Sequence, residues 1–165
     1  MAGMAAALVM ALFAMVVAAT RGLGLYTPLY QVTAVVEPGP LQVSLNEAAQ
    51  GWRFYFEVGP AAAGLAVHLA IGAGFGALFA LLVRALALRG LVAVAAGVAY
   101  GLVVLGFMSQ VALPWASGET AGGEVVANAP QLLGWPVFTV EHVLYGLTLG
   151  LLLGIFAFRG AEHAP

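Results

Sequence analysis

Apolar residues run in four long stretches, at about 3–19, 60–88, 91–113 and 136–158, with polar segments between them. A helix rises about 1.5 Å per residue, so roughly 20 residues cross a hydrocarbon core of about 30 Å. The pattern therefore predicts an all-α integral membrane protein, a single domain with four transmembrane helices arranged as two tandem hairpins. Prolines mark the boundaries: Pro60 and Pro136 stand where a first helical position would be, and Pro114 follows the third stretch. No proline interrupts positions 61–113, so the second and third helices read as unbroken there.

The first stretch could be mistaken for a secretory signal, because Ala and Met crowd before Ala18-Ala19-Thr20. Its leading region lacks positive charge, and the expectation is a retained helix. The segments at 20–59 and 114–135 are then loops on one side of the membrane, the external side. Within the first, Pro38-Gly39-Pro40 breaks the chain, and Leu41 to Gln50 reads as a short interfacial element. It alternates like a strand at its start and favours helix at Asn46-Glu47-Ala48-Ala49-Gln50.

Charge placement gives an orientation. Arg84 and Arg89 lie in the short link between the second and third helices, and Arg159 ends the fourth. Arg21 and Arg53 lie in the long loop, beside Glu37, Glu47 and Glu57, while the last loop carries Glu119 and Glu124. By the positive-inside rule both termini are cytoplasmic. Trp52, Trp115 and Trp135, with Tyr26, Tyr30 and Tyr55, form an aromatic belt at the external interface.

The polar pattern also repeats. His68-x3-Gly72-x3-Gly76 in the second helix returns as His142-x3-Gly146-x3-Gly150 in the fourth. Ala2-Gly3-Met4-Ala5 with Leu8-Val9 aligns with Ala96-Gly97-Val98-Ala99 with Leu102-Val103. Positions four apart share a helix face, so Gly64, Gly72, Gly76 and Ala80, and then Gly146, Gly150 and Gly154, form small-residue stripes; Gly97 and Gly101 add a third. Lipid offers helices no hydrophobic reason to associate, so such glycines are expected to hold the bundle by close backbone contact.

Composition narrows the chemistry. The chain has 165 residues, 63% hydrophobic and 7% charged, with a mean hydropathy of +1.04. Its five basic residues are all Arg and its seven acidic residues all Glu, and it has no Cys, Lys or Asp. That excludes disulfides, iron–sulfur clusters, a Schiff-base lysine and a P-loop, and a net charge of −2 gives nucleic acid nothing to hold.

His68 and His142 stand about 12 Å and 9 Å beyond Pro60 and Pro136 at helical rise, at matched depth on their glycine stripes. An intramembrane ionisable group faces protein and is a functional candidate. The preferred expectation is that each imidazole stays neutral and bonds a neighbouring helix, with Tyr100, Tyr145, Ser109, Thr139 and Thr148 as partners. The alternative is cofactor binding: a b-type haem or chlorophyll-like tetrapyrrole held by His68 and His142, with Arg21 or Arg53 near its acidic groups and Met108 as a further ligand. His163 reads as exposed. Glu141 is placed at the interface, as a poor acid–base partner for its neighbour His142. No nucleophile–base pair or metal motif points to an enzyme.

At His68-x3-Gly72-x3-Gly76, Tyr100-Gly101, Leu113-Pro114 and His142-x2-Tyr145-Gly146-x3-Gly150 the chain resembles the YagU-like family of small bacterial membrane proteins. The resemblance implies a four-helix protein of the bacterial inner membrane and carries no agreed activity. Together these readings favour a non-catalytic accessory subunit of a larger membrane complex. The tetrapyrrole-binding subunit comes second, and an oligomeric small-solute transporter third.

Overall fold

The computed structural model describes residues 1–156, so Arg159 and His163 lie outside the described part. Four helices are long and apolar enough to cross a membrane: Ala2–Thr20, Val58–Ala85, Gly90–Glu119 and Trp135–Gly154. The first two are α1 (Ala2–Thr20) and α4 (Val58–Ala85). The third comprises α5 (Gly90–Phe107), a π-helical turn at Met108–Ala112 and α6 (Leu113–Glu119). The fourth is α9 (Trp135–Leu151), continued by a second π turn, Leu152–Phe156.

The third span runs six residues beyond its expected end at Leu113. Pro114 does not stop the helix. It lacks the amide that an α-helix would use at this point, and the π turn just before it absorbs the disruption.

Helix α1 packs between α4 and α9, and α5 packs along α9. Helices α4 and α5, although joined by a short link, touch only sparsely. That link closes α4 as a Schellman-type cap, with Leu88 N–H bonding the Val83 carbonyl and Ala87 at φ +50° in the position usually held by glycine.

Glycines set the two tight contacts, and they do so equivalently. Gly3 of α1 lies against the Gly72 carbonyl and Gly76 Cα of α4. Gly97 of α5 lies against the Gly146 carbonyl and Gly150 Cα of α9 in the same way. The paired residues are those the sequence repeat aligns, so the two hairpins are copies of one packing unit. Gly101 meets the His142 carbonyl, and Gly154 meets Ala93. Of the eight packing glycines read from the sequence, Gly64 alone meets a loop helix, at the Leu29 carbonyl and Thr33.

The two presumed loops are largely helical and cap one end of the bundle. The first holds α2 (Thr27–Thr33) and α3 (Gly39–Ala49); the second holds α7 (Gly123–Ala127) and α8 (Ala129–Leu132). Pro38 and Pro40 start α3 rather than break the chain, as proline does in a first turn. Leu41, Ser44 and Ala48 give α3 one buried face, and the buried Ser44 hydroxyl meets Thr27 of α2 at 2.8 Å. Thr33 donates to the Pro60 carbonyl at 2.7 Å, fastening α2 to the start of α4. Arg21 at the end of α1 donates to the Leu133 carbonyl, tying α1 to the turn before α9. Gly134 makes that turn with φ +83°, a conformation that favours glycine.

The aromatic belt is corrected at one position. Trp52, Trp115 and Trp135 are exposed at the capped end, but Tyr30 is fully buried. Its hydroxyl accepts from the Glu57 amide at 2.7 Å.

Candidate functional site

Where α4 and α5 diverge toward the capped end, a cavity of about 430 Å³ opens between them. Its walls come from every long helix: Ala11 of α1, Val67 and Phe75 of α4, Val104 and Met108 of the third span, and Phe138 and Tyr145 of α9. Val35, Val36 and Leu29 close it from the cap. The wall is overwhelmingly apolar and contains no arginine. Within it stand His68, Glu141 and His142.

Two features hold the cavity open. Tyr145 donates to the Gly72 carbonyl at 2.7 Å, and Tyr100 donates to the Phe75 carbonyl at 2.8 Å. Both hydroxyls act as struts onto α4, where there is little backbone contact with α5. The π turn at Met108–Ala112 contributes Met108 and Ala112 to the wall. Such turns are frequent at functional sites, because the extra residue re-aims side chains locally.

The structure brings the two histidines of the sequence repeat to one cavity. Nε2 of His68 lies 3.0 Å from the Ala7 carbonyl of α1, and Nδ1 of His142 lies 2.8 Å from the Phe138 carbonyl of its own helix. A carbonyl only accepts, so each of these nitrogens carries the proton. A neutral His68 then keeps a lone pair at Nδ1, and His142 keeps one at Nε2. Phe138 also packs edge-on against the His142 ring at 4.6 Å, fixing its plane.

The expected side-chain partners are not used. Tyr100 and Tyr145 bond α4, and Ser109, Thr139 and Thr148 each return to a carbonyl of their own helix. Only His68 bonds a neighbouring helix. This arrangement bears on the tetrapyrrole. His142 offers Nε2, but His68 offers only Nδ1, the nitrogen next to its own Cβ, where a flat macrocycle would press on the side chain. A matched pair of Nε2 ligands is therefore not what the cleft presents. Arg21 is committed to Leu133 and is not in the wall. Among the described residues no group of three or more His and Glu side chains is placed to hold a metal ion.

Glu141 is the residue that sequence reasoning misplaced. It is 5% exposed, lines the same cavity as His142, and its Oε1 has no hydrogen-bond partner. Adjacent residues diverge by about 100° on a helix, but α9 is packed by α1 on one side and α5 on the other. Its buried arc is wide enough for Val137, Glu141, His142 and Tyr145 together. The sequence held one signal of this, the single carboxylate lying well inside a span.

An unpaired buried carboxyl is costly, and native proteins rarely leave one without a role. Comparison of the chain with protein-family models, characterised proteins and solved structures finds no match. The cleft sets His68, Glu141 and His142, with Gln31 and Thr33, in an otherwise apolar wall around a cavity of ligand size.

Proposed function

We propose that this is a non-catalytic integral membrane protein that binds a small, largely apolar molecule in the cleft between α4 and α5. The observation that carries the reading is a roomy apolar cavity with the buried, unpartnered carboxyl of Glu141 in its wall. A carboxyl with no partner costs about 1–3 kcal/mol, and a ligand able to bond it recovers that penalty on binding. No nucleophile–base pair accompanies it, so binding is the function favoured over catalysis.

The proposed location is a membrane, crossed four times, and the bacterial inner membrane is the one this reading takes. Arg84 and Arg89 favour a cytoplasmic position for the α4–α5 link, and hence for both termini. One observation favours a second reading, that of an accessory subunit docked on a larger complex. Trp52, Phe54, Phe56 and Val58 form a run of exposed apolar residues at the capped end.

The test is purification in mild detergent followed by native mass spectrometry and solvent extraction. A small molecule should accompany the wild-type protein and be lost from Ala63→Phe, which fills the cavity from an exposed wall position. Identical extracts from the two proteins would reject the cleft as a binding site. A visible spectrum of the same sample identifies any tetrapyrrole.

A further inference from the structure

Residues that both line the cavity and stand exposed mark its mouth. They are Val67 and Ile71 of α4, Trp115 of the third span and Val36 just after α2. None of them is charged, and the indole of Trp115 suits the boundary between acyl chains and headgroups. Toward the α4–α5 link the mouth is closed by the rings of Phe75 and Phe107, packed edge to face at 5.9 Å. Tyr100 holds that edge through its 2.8 Å bond to the Phe75 carbonyl.

The cap, by contrast, is fastened over the cavity. Thr33 ties α2 to the Pro60 carbonyl of α4 at 2.7 Å, and Gln31 ties it to the Ala129 carbonyl of α8 at 2.9 Å. Gly122, before α7, lies against the Ala34 carbonyl. Between α4 and α5 contact is sparse. At helical rise Ile71 and Val67 stand about 20 Å and 25 Å from Arg84, and Val104 about 22 Å from Arg89. With Arg84 and Arg89 at the opposite face of a hydrocarbon core about 30 Å thick, the mouth lies in the half nearer the cap. It faces acyl chains rather than water.

We infer that the cleft opens sideways to the bilayer and takes an acyl chain of a phospholipid from the leaflet at the capped end. This rests on the proposal that the cleft binds a largely apolar molecule, and it names the molecule and its route. An empty apolar cavity forfeits dispersion contacts along its whole wall, and water is a poor filler for it. A chain from the adjacent leaflet restores those contacts, while its headgroup stays at the height of Trp115 and requires no charged partner in the wall. A charged amphiphile buried whole would carry its charge through hydrocarbon, which is costly.

The test reads tryptophan fluorescence in nanodiscs of phosphatidylcholine with brominated acyl chains, against the same discs without bromine. Trp52, Trp115 and Trp135 are first replaced by Phe, and single reporters are then placed in the cavity wall as Phe138→Trp or Met108→Trp. Phe107→Trp, on the exposed face of α5, reports the surrounding lipid. Both wall reporters should be quenched by bromine as strongly as Phe107→Trp. Adding Ala63→Phe should remove most of the quenching at both wall positions and none at Phe107→Trp. Melting temperatures show whether each reporter variant folds, and the two wall positions report independently. Wall reporters that bromine leaves unquenched, or whose quenching survives Ala63→Phe, would overturn the inference. So would quenching of the wall reporters by aqueous iodide in place of brominated chains, since the route would then run from water. If bromine quenching fails while an extracted small molecule is still lost from Ala63→Phe, the acyl chain is rejected and the cleft remains a binding site. Failure of both measurements would reject both.

Discussion

The hydroxyl of Tyr145 on α9 donates to the carbonyl of Gly72 on α4 at 2.7 Å, joining two long helices beside the cleft. Gly72 is itself pressed against Ala7 of α1, so one residue of α4 is fixed to two neighbours by different means. Tyr145 is 3% exposed and belongs to the central apolar cluster with Ala7, Phe79 and Leu149. Tyr145→Phe keeps that packing and removes the strut. Interhelical hydrogen bonds in membranes average about 0.6 kcal/mol and reach about 1.7. Thermal unfolding in detergent should show a loss within that range. A loss of several kcal/mol would mean that the ring packing, not the hydroxyl, holds α4.

Glycines of the same type should behave in opposite ways. Gly97 and Gly146 sit backbone to backbone, where a Cβ has no room, so Gly97→Val should separate α5 from α9 and destabilise the fold by about 1–3 kcal/mol or more. Gly74 and Gly106 have open space at the Cβ position, and Gly74→Ala in α4 should stabilise by up to about 1 kcal/mol through helix propensity. Melting temperatures of the two variants should therefore move apart around the wild type. Equal shifts in one direction would refute the packing assignment.

Glu141 sets function against stability. In the absence of ligand, Glu141→Met replaces an unpartnered buried carboxyl by an apolar chain of similar length. The relieved penalty is about 1–3 kcal/mol, so the ligand-free variant should melt above the wild type. A lower melting temperature would show that the carboxyl has a structural partner.

A phenol at the cap gives a pH dependence. Tyr55 donates to Glu57 Oε2 at 2.7 Å. That bond, together with burial and the Glu57 charge, pushes the phenol up to about 12. The folded value lies above the ordinary value of 10, so the contribution of this bond to stability is complete below pH 10. It is lost as pH rises from 10 through 12. Ultraviolet titration of wild type and Tyr55→Phe should differ by one tyrosine step near pH 12, which the variant lacks. The loss of stability between pH 10 and 12 should shrink in the same variant.

Much of the fold was legible from local pattern. Long apolar runs demand membrane helices, because a backbone in lipid must satisfy its own hydrogen bonds. The repeat of Gly72 and Gly76 as Gly146 and Gly150 announced equivalent contacts, and the weaker match of Gly3 with Gly97 supplied their partners. Helix α3 was harder to read, since ten residues beginning with alternation fit strand and helix equally until they pack on α2. The continuation past Pro114 was also hidden, because a π turn is a response to strain rather than a residue preference.

The site divides the same way. Sequence alone fixed the solvent, the number of spans, the packing glycines and the pair of histidines at similar depth, since each follows from residue type and spacing along one helix. Only the tertiary structure decided that α4 and α5 part to leave a cavity, that Glu141 is buried in its wall, and that each histidine spends one nitrogen on a carbonyl. Those facts depend on which helices are neighbours. The wide buried arc of α9 exists because α1 and α5 flank it, and spacing along one chain segment does not encode that.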